Sequence, residues 1–195
     1  MERTNTTAID STQTWAVSDG RAGNRRQAVA LADALGGSTF DCELAPRAPW
    51  RWLAPRLFPG AARAFGNAFD ARAPALAIGC GRQAALATQL LRARGAKTIQ
   101  ILDPRLDPAY WDFVVVPEHD GLRGSNVITL LGSLNPVDDT WLVQARERFA
   151  AFAALPQPRT AVLLGGSSAH ARFDRNAFEV LAARLEVALV RDGGS

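Results

Sequence analysis

The chain has 195 residues, 48% of them hydrophobic and 21% charged, a composition too apolar for a disordered tail and ordinary for a globular domain. No run approaches the ~20 consecutive apolar residues of a membrane-spanning helix. The formal net charge is only +3, and no basic cluster with regularly interleaved aromatics marks a nucleic-acid surface. Residues 1–100 carry 13 basic and 7 acidic side chains against 9 and 12 in residues 101–195, so the first half is the one suited to an anionic ligand.

Residues 1–14 are polar and Thr-rich, with neither the apolar core of a secretory signal nor an Arg-rich amphipathic pattern, and read as a disordered tail. Trp15 to Val17 is a short strand that runs into the turn Ser18 to Asn24. Beyond it Ala28, Leu31, Ala32 and Leu35 recur at i, i+3, i+4, i+7, the stripe of an amphipathic helix. Asn24 with Gln27 three residues on resembles a capping box, and Gly36-Gly37 supplies the stop. A second strand is expected at Thr39 to Leu44.

Pro46 to Phe69 mixes Trp50, Trp52, Leu53, Leu57, Phe58 and Phe65 with Arg47, Arg51, Arg56 and Arg63. This composition suits a peripheral contact with an anionic membrane through Trp50, Trp52 and Phe58. Pro49, Pro55 and Pro59 break any long amphipathic helix, which favours packing over the sheet face as the role of this segment and leaves the membrane contact as the alternative.

Ala75 to Ile78 is a buried strand, Gly79-Cys80-Gly81 a turn, and Arg82 to Arg94 a helix with Ala87, Leu90 and Leu91 inward. Strands follow at Thr98 to Leu102, Phe113 to Val116 and Val127 to Leu131. Pro136 to Ala154 reads as one longer helix, ended by Pro156-Gln157-Pro158. After these prolines come an apolar strand at Thr160 to Leu164, the turn Gly165-Gly166-Ser167-Ser168 and a helix carrying Phe178, Leu181, Ala182 and Leu185. Strands alternating with helices imply an α/β fold with a Rossmann-like parallel sheet covered on both faces. Residues 15–155 form the first domain. Residues 159–195, a single β-α unit, cannot cover a sheet of their own and read as the incomplete start of a second.

Ligands of such sheets bind outside the carboxyl ends of the strands, where glycine turns and helix N-termini meet. Three turns fit: one with Gly20, Arg21, Gly23 and Asn24, one with Gly79, Gly81 and Arg82, and one with Gly165, Gly166, Ser167 and Ser168. Each also reads as an ordinary tight turn. None completes the dinucleotide or nucleoside-triphosphate fingerprint, so neither NAD nor ATP is indicated and no cofactor is expected. Arg105, after the strand at 98–102, suits a phosphate or carboxylate, or locks its loop through Asp103 or Asp107. His119, with Glu118 and Asp120 beside it, is the candidate base for a hydroxyl, and a surface-loop histidine is its other reading. Cys42 and Cys80 lack metal-ligand spacing, no metal site is expected, and two distant cysteines suit a reducing compartment, the cytoplasm.

The strings WAVSDGRAGNRRQAVALADALG (15–36), IGCGRQAA (78–85), IQILDPRLDPAYWDFVVVPEHDGLRGSNVI (99–128) and AVLLGGSSAHARFD (161–174) together resemble the mitochondrial-fission Elm-type family, which has bacterial and plant members, and this chain is similar to the bacterial ones. The resemblance implies a GT-B-like architecture of two Rossmann-type domains with a nucleotide-sugar or similar phosphate ligand in the cleft between them. It also implies a family pattern that continues past Ser195 into a Ser-Arg-Arg-Thr motif. On that resemblance Gly165 to Ala169 looks like the glycine-serine loop of the donor domain in lipid-linked-glycan transferases. Metal-independent glycosyl transfer is one function it implies, with Asp19, in the turn after the first strand, as a further candidate base. The alternative is a non-catalytic scaffold that recruits a membrane-associated partner, as plant members are linked to a dynamin-related protein.

Overall fold

The computed structural model describes residues 13–69, 73–165 and 172–195, and it divides into two compact units, 1–136 and 137–195. The first is built on six strands: β1 (Thr14–Ser18), β2 (Thr39–Glu43), β3 (Leu76–Cys80), β4 (Lys97–Ile101), β5 (Phe113–Pro117) and β6 (Val127–Leu130). All neighbours run parallel, in the order β2-β1-β3-β4-β5-β6. This is the Rossmann-like sheet that the alternation of apolar runs and helical stripes predicts.

Every residue of β1 is buried, as is most of β3 and β5. Parallel strands covered on both sides need no polar face, which is why they appear in the sequence as unbroken apolar runs. The period of two then decides which helix each side chain meets. Trp15, Val17 and Ala77 share a cluster with Ala84, Leu86, Ala87 and Leu91 of α3 (Arg82–Arg92). Ala16, Ile78 and Cys80, one residue out of phase, pack instead with Ala28 and Ala32 of α1 (Ala22–Leu35). Alanine at the contacts of both helices lets them lie close to the sheet.

Between β2 and β3 the chain forms the short helix α2 (Trp50–Leu53) and 3₁₀ turns over Ala61–Phe69. Ala54, Ala61, Ala64 and Phe65 join the α3-side cluster, and half-buried Trp50 packs against it. The segment thus covers a sheet face through these residues, while Trp52, Leu57 and Phe58 remain outside.

Gly79 and Cys80 belong to β3, so the turn expected to start at Gly79 begins at Gly81. Ladder bonding carries the strand two residues further than its apolar run, because Gly79 pairs with Gln100 and Cys80 with Ile101 of β4.

In the second unit the helix expected over 136–154 is shorter. It spans α4 (Asp139–Arg148) and gives way to a 3₁₀ turn at Ala150–Ala154. The Asp138 carboxylate accepts from Trp141 N–H at 2.7 Å and fixes the start. Thr160 to Leu164 pairs with no strand. A ladder needs a partner, and the described residues of this unit supply none. Thr160 N–H donates to the Ser195 carbonyl instead. Helix α5 (Arg175–Asp192) is capped by Asp174, which accepts from Ala177 N–H at 3.0 Å. No described residue of 137–195 is buried.

Candidate functional site

The strand order reverses direction at one place. β2 lies to one side of β1, and β3 with every later strand lies to the other, so the chain's crossovers diverge between the carboxyl ends of β1 and β3. In doubly wound sheets that divergence leaves a crevice. Here it is bordered by Ser18 to Asn24 after β1 and by Gly81-Arg82 after β3. Two of the three expected turns are therefore neighbours, although 60 residues apart in the chain.

Asn24 ties them together. The sequence suggests it as a helix cap, but α1 begins at Ala22 with Arg21 at the cap position, so Asn24 already lies within the first turn. Its side chain is free to reach sideways. Nδ2 donates to Asp19 Oδ1 at 2.9 Å, and Oδ1 accepts from the Cys80 thiol at 3.7 Å. Asp19 also accepts from Arg21 N–H at 3.3 Å and pairs with the Arg21 guanidinium at 3.6 Å. Its carboxylate is thus oriented and largely covered, while Arg21 projects into solvent.

Glycine is required at two of these positions. Gly20 has φ 79°, and a Cβ there would collide with the Glu43 carboxylate. Gly81 has φ 90°, and a Cβ would lie 2.5 Å from Asn24 Nδ2. Both leave the left-handed region to the residue that adopts it without steric cost. Gly79 differs in kind: it is buried in the sheet, where a Cβ would meet Thr88 Cγ2 at 2.7 Å and Gln100 Oε1 at 2.9 Å. It packs β3 against α3 and has no open side. Gly23 is exposed on α1 with nothing near its Cβ position.

Helices α1 and α3 both begin at this crevice, and neither has a side-chain cap. The unpaired N–H groups of two first turns and their dipoles are left to whatever occupies the space in front of them. In the same chain α4 and α5 have their first turns closed by Asp138 and Asp174. Arg82 is exposed and donates from Nη2 to the Arg51 carbonyl at 3.4 Å. Cys80 is buried, and desolvation with the nearby Asp19 charge pushes its thiol up to about 12. It is a neutral hydrogen-bond donor to Asn24, not a nucleophile.

Arg105 follows β4, next to β3 in the sheet. Its φ is 57°, and that of Leu102 is 70°, a conformation that costs a non-glycine residue about 1 kcal/mol or more. Asp103 holds the turn, accepting from Arg105 N–H at 2.7 Å and pairing with its guanidinium at 3.2 Å. Asp107 instead accepts from Ala109 N–H and caps the next 3₁₀ turn. His119 follows β5 on a 3₁₀ turn, exposed, with Asp120 at 3.6 Å. Two strands separate β1 from β5, so three strand spacings, roughly 14 Å, lie between the Asp19 and His119 ends of the sheet. The two candidate bases do not converge. Gly165 is exposed, and Gly166, Ser167 and Ser168 lie outside the described residues.

The parallel sheet, its switch point and the glycine turns that border it define a doubly wound, Rossmann-like α/β protein. Within that class the chain belongs to a particular family: the family described as Mitochondrial fission ELM1 matches residues 22–195. That match begins at the start of α1, after β1 and the Asp19–Arg21 loop, and runs through the rest of both compact units. Comparisons with curated proteins and with solved structures return no match.

Proposed function

We propose that the β1/β3 crevice binds the diphosphate of a nucleotide sugar or a similar phosphate ligand, and that the protein acts in metal-independent glycosyl transfer. The observation that carries this reading is the pair of uncapped helix N-termini, α1 and α3, opening on one crevice flanked by Arg21 and Arg82. Backbone N–H groups and helix dipoles stabilise phosphate oxygens, and a leaving diphosphate requires that kind of support. Arg105 extends the positive rim along the same sheet edge. Asp19, paired with Arg21 and oriented by the Asn24 hydrogen bond, is the proton acceptor for a sugar hydroxyl and not a phosphate ligand. His119 stands too far along the sheet to share that step.

Backbone amide NMR during titration with uridine diphosphate, and separately with inorganic pyrophosphate, tests the binding. Shifts are expected at Gly20, Gly23, Gly81 and Arg82, with a dissociation constant on the order of a millimolar, about −4 kcal/mol. Arg82→Gln weakens it several-fold. Absence of shifts at these amides overturns the proposal. Asp19→Asn separates transferase from scaffold: a transferase keeps its ligand shifts and loses its cellular role, whereas a recruiting scaffold keeps both.

A further inference from the structure

Outside the crevice, the segment between β2 and β3 is two-sided. Its inner side supplies Ala54, Ala61, Ala64 and Phe65 to the core. Its outer side exposes Trp52 at 70%, Leu57 at 48%, Phe58 at 42% and Leu53 at 37%. A tryptophan exposed to that degree beside three more large apolar side chains is a patch with a purpose other than folding.

The charge within the segment has one sign. Residues 44–69 contain Arg47, Arg51, Arg56 and Arg63 and no Asp or Glu. Arg51, Arg56 and Arg63 are exposed, and none has an ion-pair partner among the described residues. Some surface arginines elsewhere in this unit find carboxylates, as Arg25 does with Asp41 and Arg92 with Asp112.

The patch is also held rigidly. The Pro55 carbonyl accepts from buried Gln89 Nε2 at 2.9 Å, and the Arg51 carbonyl accepts from Arg82. The loop is thereby fastened to α3 at two points, with its apolar tips directed away from the core that its alanines fill.

We propose that this surface docks the protein on an anionic lipid bilayer, with Trp52, Leu53, Leu57 and Phe58 entering the headgroup boundary and Arg51 and Arg56 meeting lipid phosphates. Tryptophan combines an apolar ring with a polar N–H and is favoured at that depth. Unpaired arginines supply the attraction that brings the surface to a negatively charged leaflet. A protein partner or a second copy would have to offer a complementary acidic face. The unit that carries the patch is itself net positive, with 15 basic and 12 acidic side chains in residues 1–136. No described helix is long and apolar enough to cross a membrane, so the contact is peripheral. It does not depend on what the crevice binds.

Flotation of the full chain with vesicles tests the docking. Vesicles of equal parts phosphatidylcholine and phosphatidylglycerol are expected to carry the protein upward, and vesicles of phosphatidylcholine alone to leave it behind. Arg51→Gln and Arg56→Gln each reduce partitioning roughly fivefold, the equivalent of about 1 kcal/mol per basic residue at the surface. Trp52→Ser with Phe58→Ser abolishes flotation. All four side chains are exposed, so these variants keep the wild-type melting curve, which is checked alongside. Failure of the wild type to float with the anionic vesicles overturns the proposal. So does flotation that survives Trp52→Ser with Phe58→Ser, since a different surface is then responsible. A dimer in sedimentation velocity that the same double variant dissolves, without flotation, overturns it in favour of a second copy.

Discussion

Asn24 donates from Nδ2 to Asp19 Oδ1 at 2.9 Å, a bond between the first turn of α1 and the loop that precedes it. Because Asn24 Oδ1 also accepts from Cys80 of β3, one carboxamide joins both loops of the crevice. A hydrogen bond to a charged group contributes about 2 kcal/mol, and Asp19 is mostly covered. Asn24→Ala is expected to lose about that much stability in urea titrations followed by the fluorescence of Trp15 and Trp111, both buried in this unit. Asn24→Asp loses more, since two carboxylates then face each other. An unchanged midpoint for both variants would refute this account of Asn24.

The glycines of the crevice separate by what surrounds them. Gly79→Ala forces a methyl against Thr88, Gln100 and the Ala84 carbonyl, all within 3.2 Å of the new atom, and overpacking of this kind costs about 1–3 kcal/mol. Gly81→Ala places an L residue at φ 90°, a cost of about 1–3 kcal/mol from backbone strain. Gly23→Ala meets nothing within 4 Å and lies in α1, so it stabilises the protein by about 0.5–1 kcal/mol through helix propensity. Melting temperatures of the three variants should fall on opposite sides of wild type in this pattern.

Much of this fold was legible in the sequence for a physical reason, and the rest was hidden for one. β1, β3 and β5 are buried on both faces, and that burial writes itself as continuous apolar runs; α1 and α3 write theirs as a stripe. The switch point is different, because it depends on β1 pairing with β3, residues about 60 apart, and no local pattern records that. Hence Ser18 to Asn24 and Gly81-Arg82 were each recognisable as turns but not as neighbours. Asn24 looked like a cap because Gln27 follows it at the right spacing; its true partners are Asp19 and, through β1/β3 adjacency, Cys80. The positive φ of Arg105 leaves no trace in the string Asp103-Pro104-Arg105. Thr160 to Leu164 shows the converse failure, an apolar run that suits a strand but has no partner to pair with among the described residues.

Thr88 and Trp111 form a polar contact inside the core that no sequence pattern announced. Trp111 Nε1 donates to Thr88 Oγ1 at 2.8 Å, and that hydroxyl is within reach of the Ala84 and Ala85 carbonyls at 3.1 and 3.2 Å. Both residues are fully buried. Thr88→Val keeps the shape and removes the acceptor, leaving the indole N–H unsatisfied at a cost of about 1–3 kcal/mol. In a Trp111→Phe background that orphan does not exist, so Thr88→Val is expected to cost distinctly less there. Additive losses in the four-member cycle would show that the bond contributes nothing of its own.

The two cysteines set the alkaline limit of stability. Burial pushes Cys42 up to about 11, with Asp41 adding to the effect, and Cys80 up to about 12, with Asp19 adding. The unfolded thiols ionise near 9.0, so above that pH the unfolded chain releases protons that the folded chain retains. Stability therefore falls as pH rises past about 9 and is unaffected by these groups below it. Cys42→Ala and Cys80→Ala should each flatten that decline. In the native protein at pH 8, neither thiol is expected to react with a thiol-specific disulfide reagent until denaturant is added; prompt modification of Cys80 would contradict the closed Asn24 contact.

Asp112 sets the opposite limit. Burial alone would raise its carboxyl, but the Thr98 N–H and hydroxyl bonds, at 2.9 and 3.1 Å, outweigh it together with the Arg92 and Lys97 charges, at 3.4 and 3.5 Å, and the net shift is downward. These partners come from the end of α3 and the start of β4, so a single carboxylate at the start of β5 fastens three elements at the amino edge of the sheet. With a folded pKa below the unfolded value of 3.8, its contribution is complete above about pH 4 and is lost as pH falls through the folded pKa. Asp112→Asn is expected to lower stability at neutral pH, because Arg92 and Lys97 lose their counter-charge, and to be less sensitive to acid between about pH 4 and pH 2. Urea titrations of both proteins at neutral pH and across that acid range measure the difference, which should shrink steadily toward the acid end; a constant gap would mean that Asp112 acts through packing alone and that its charge fastens nothing.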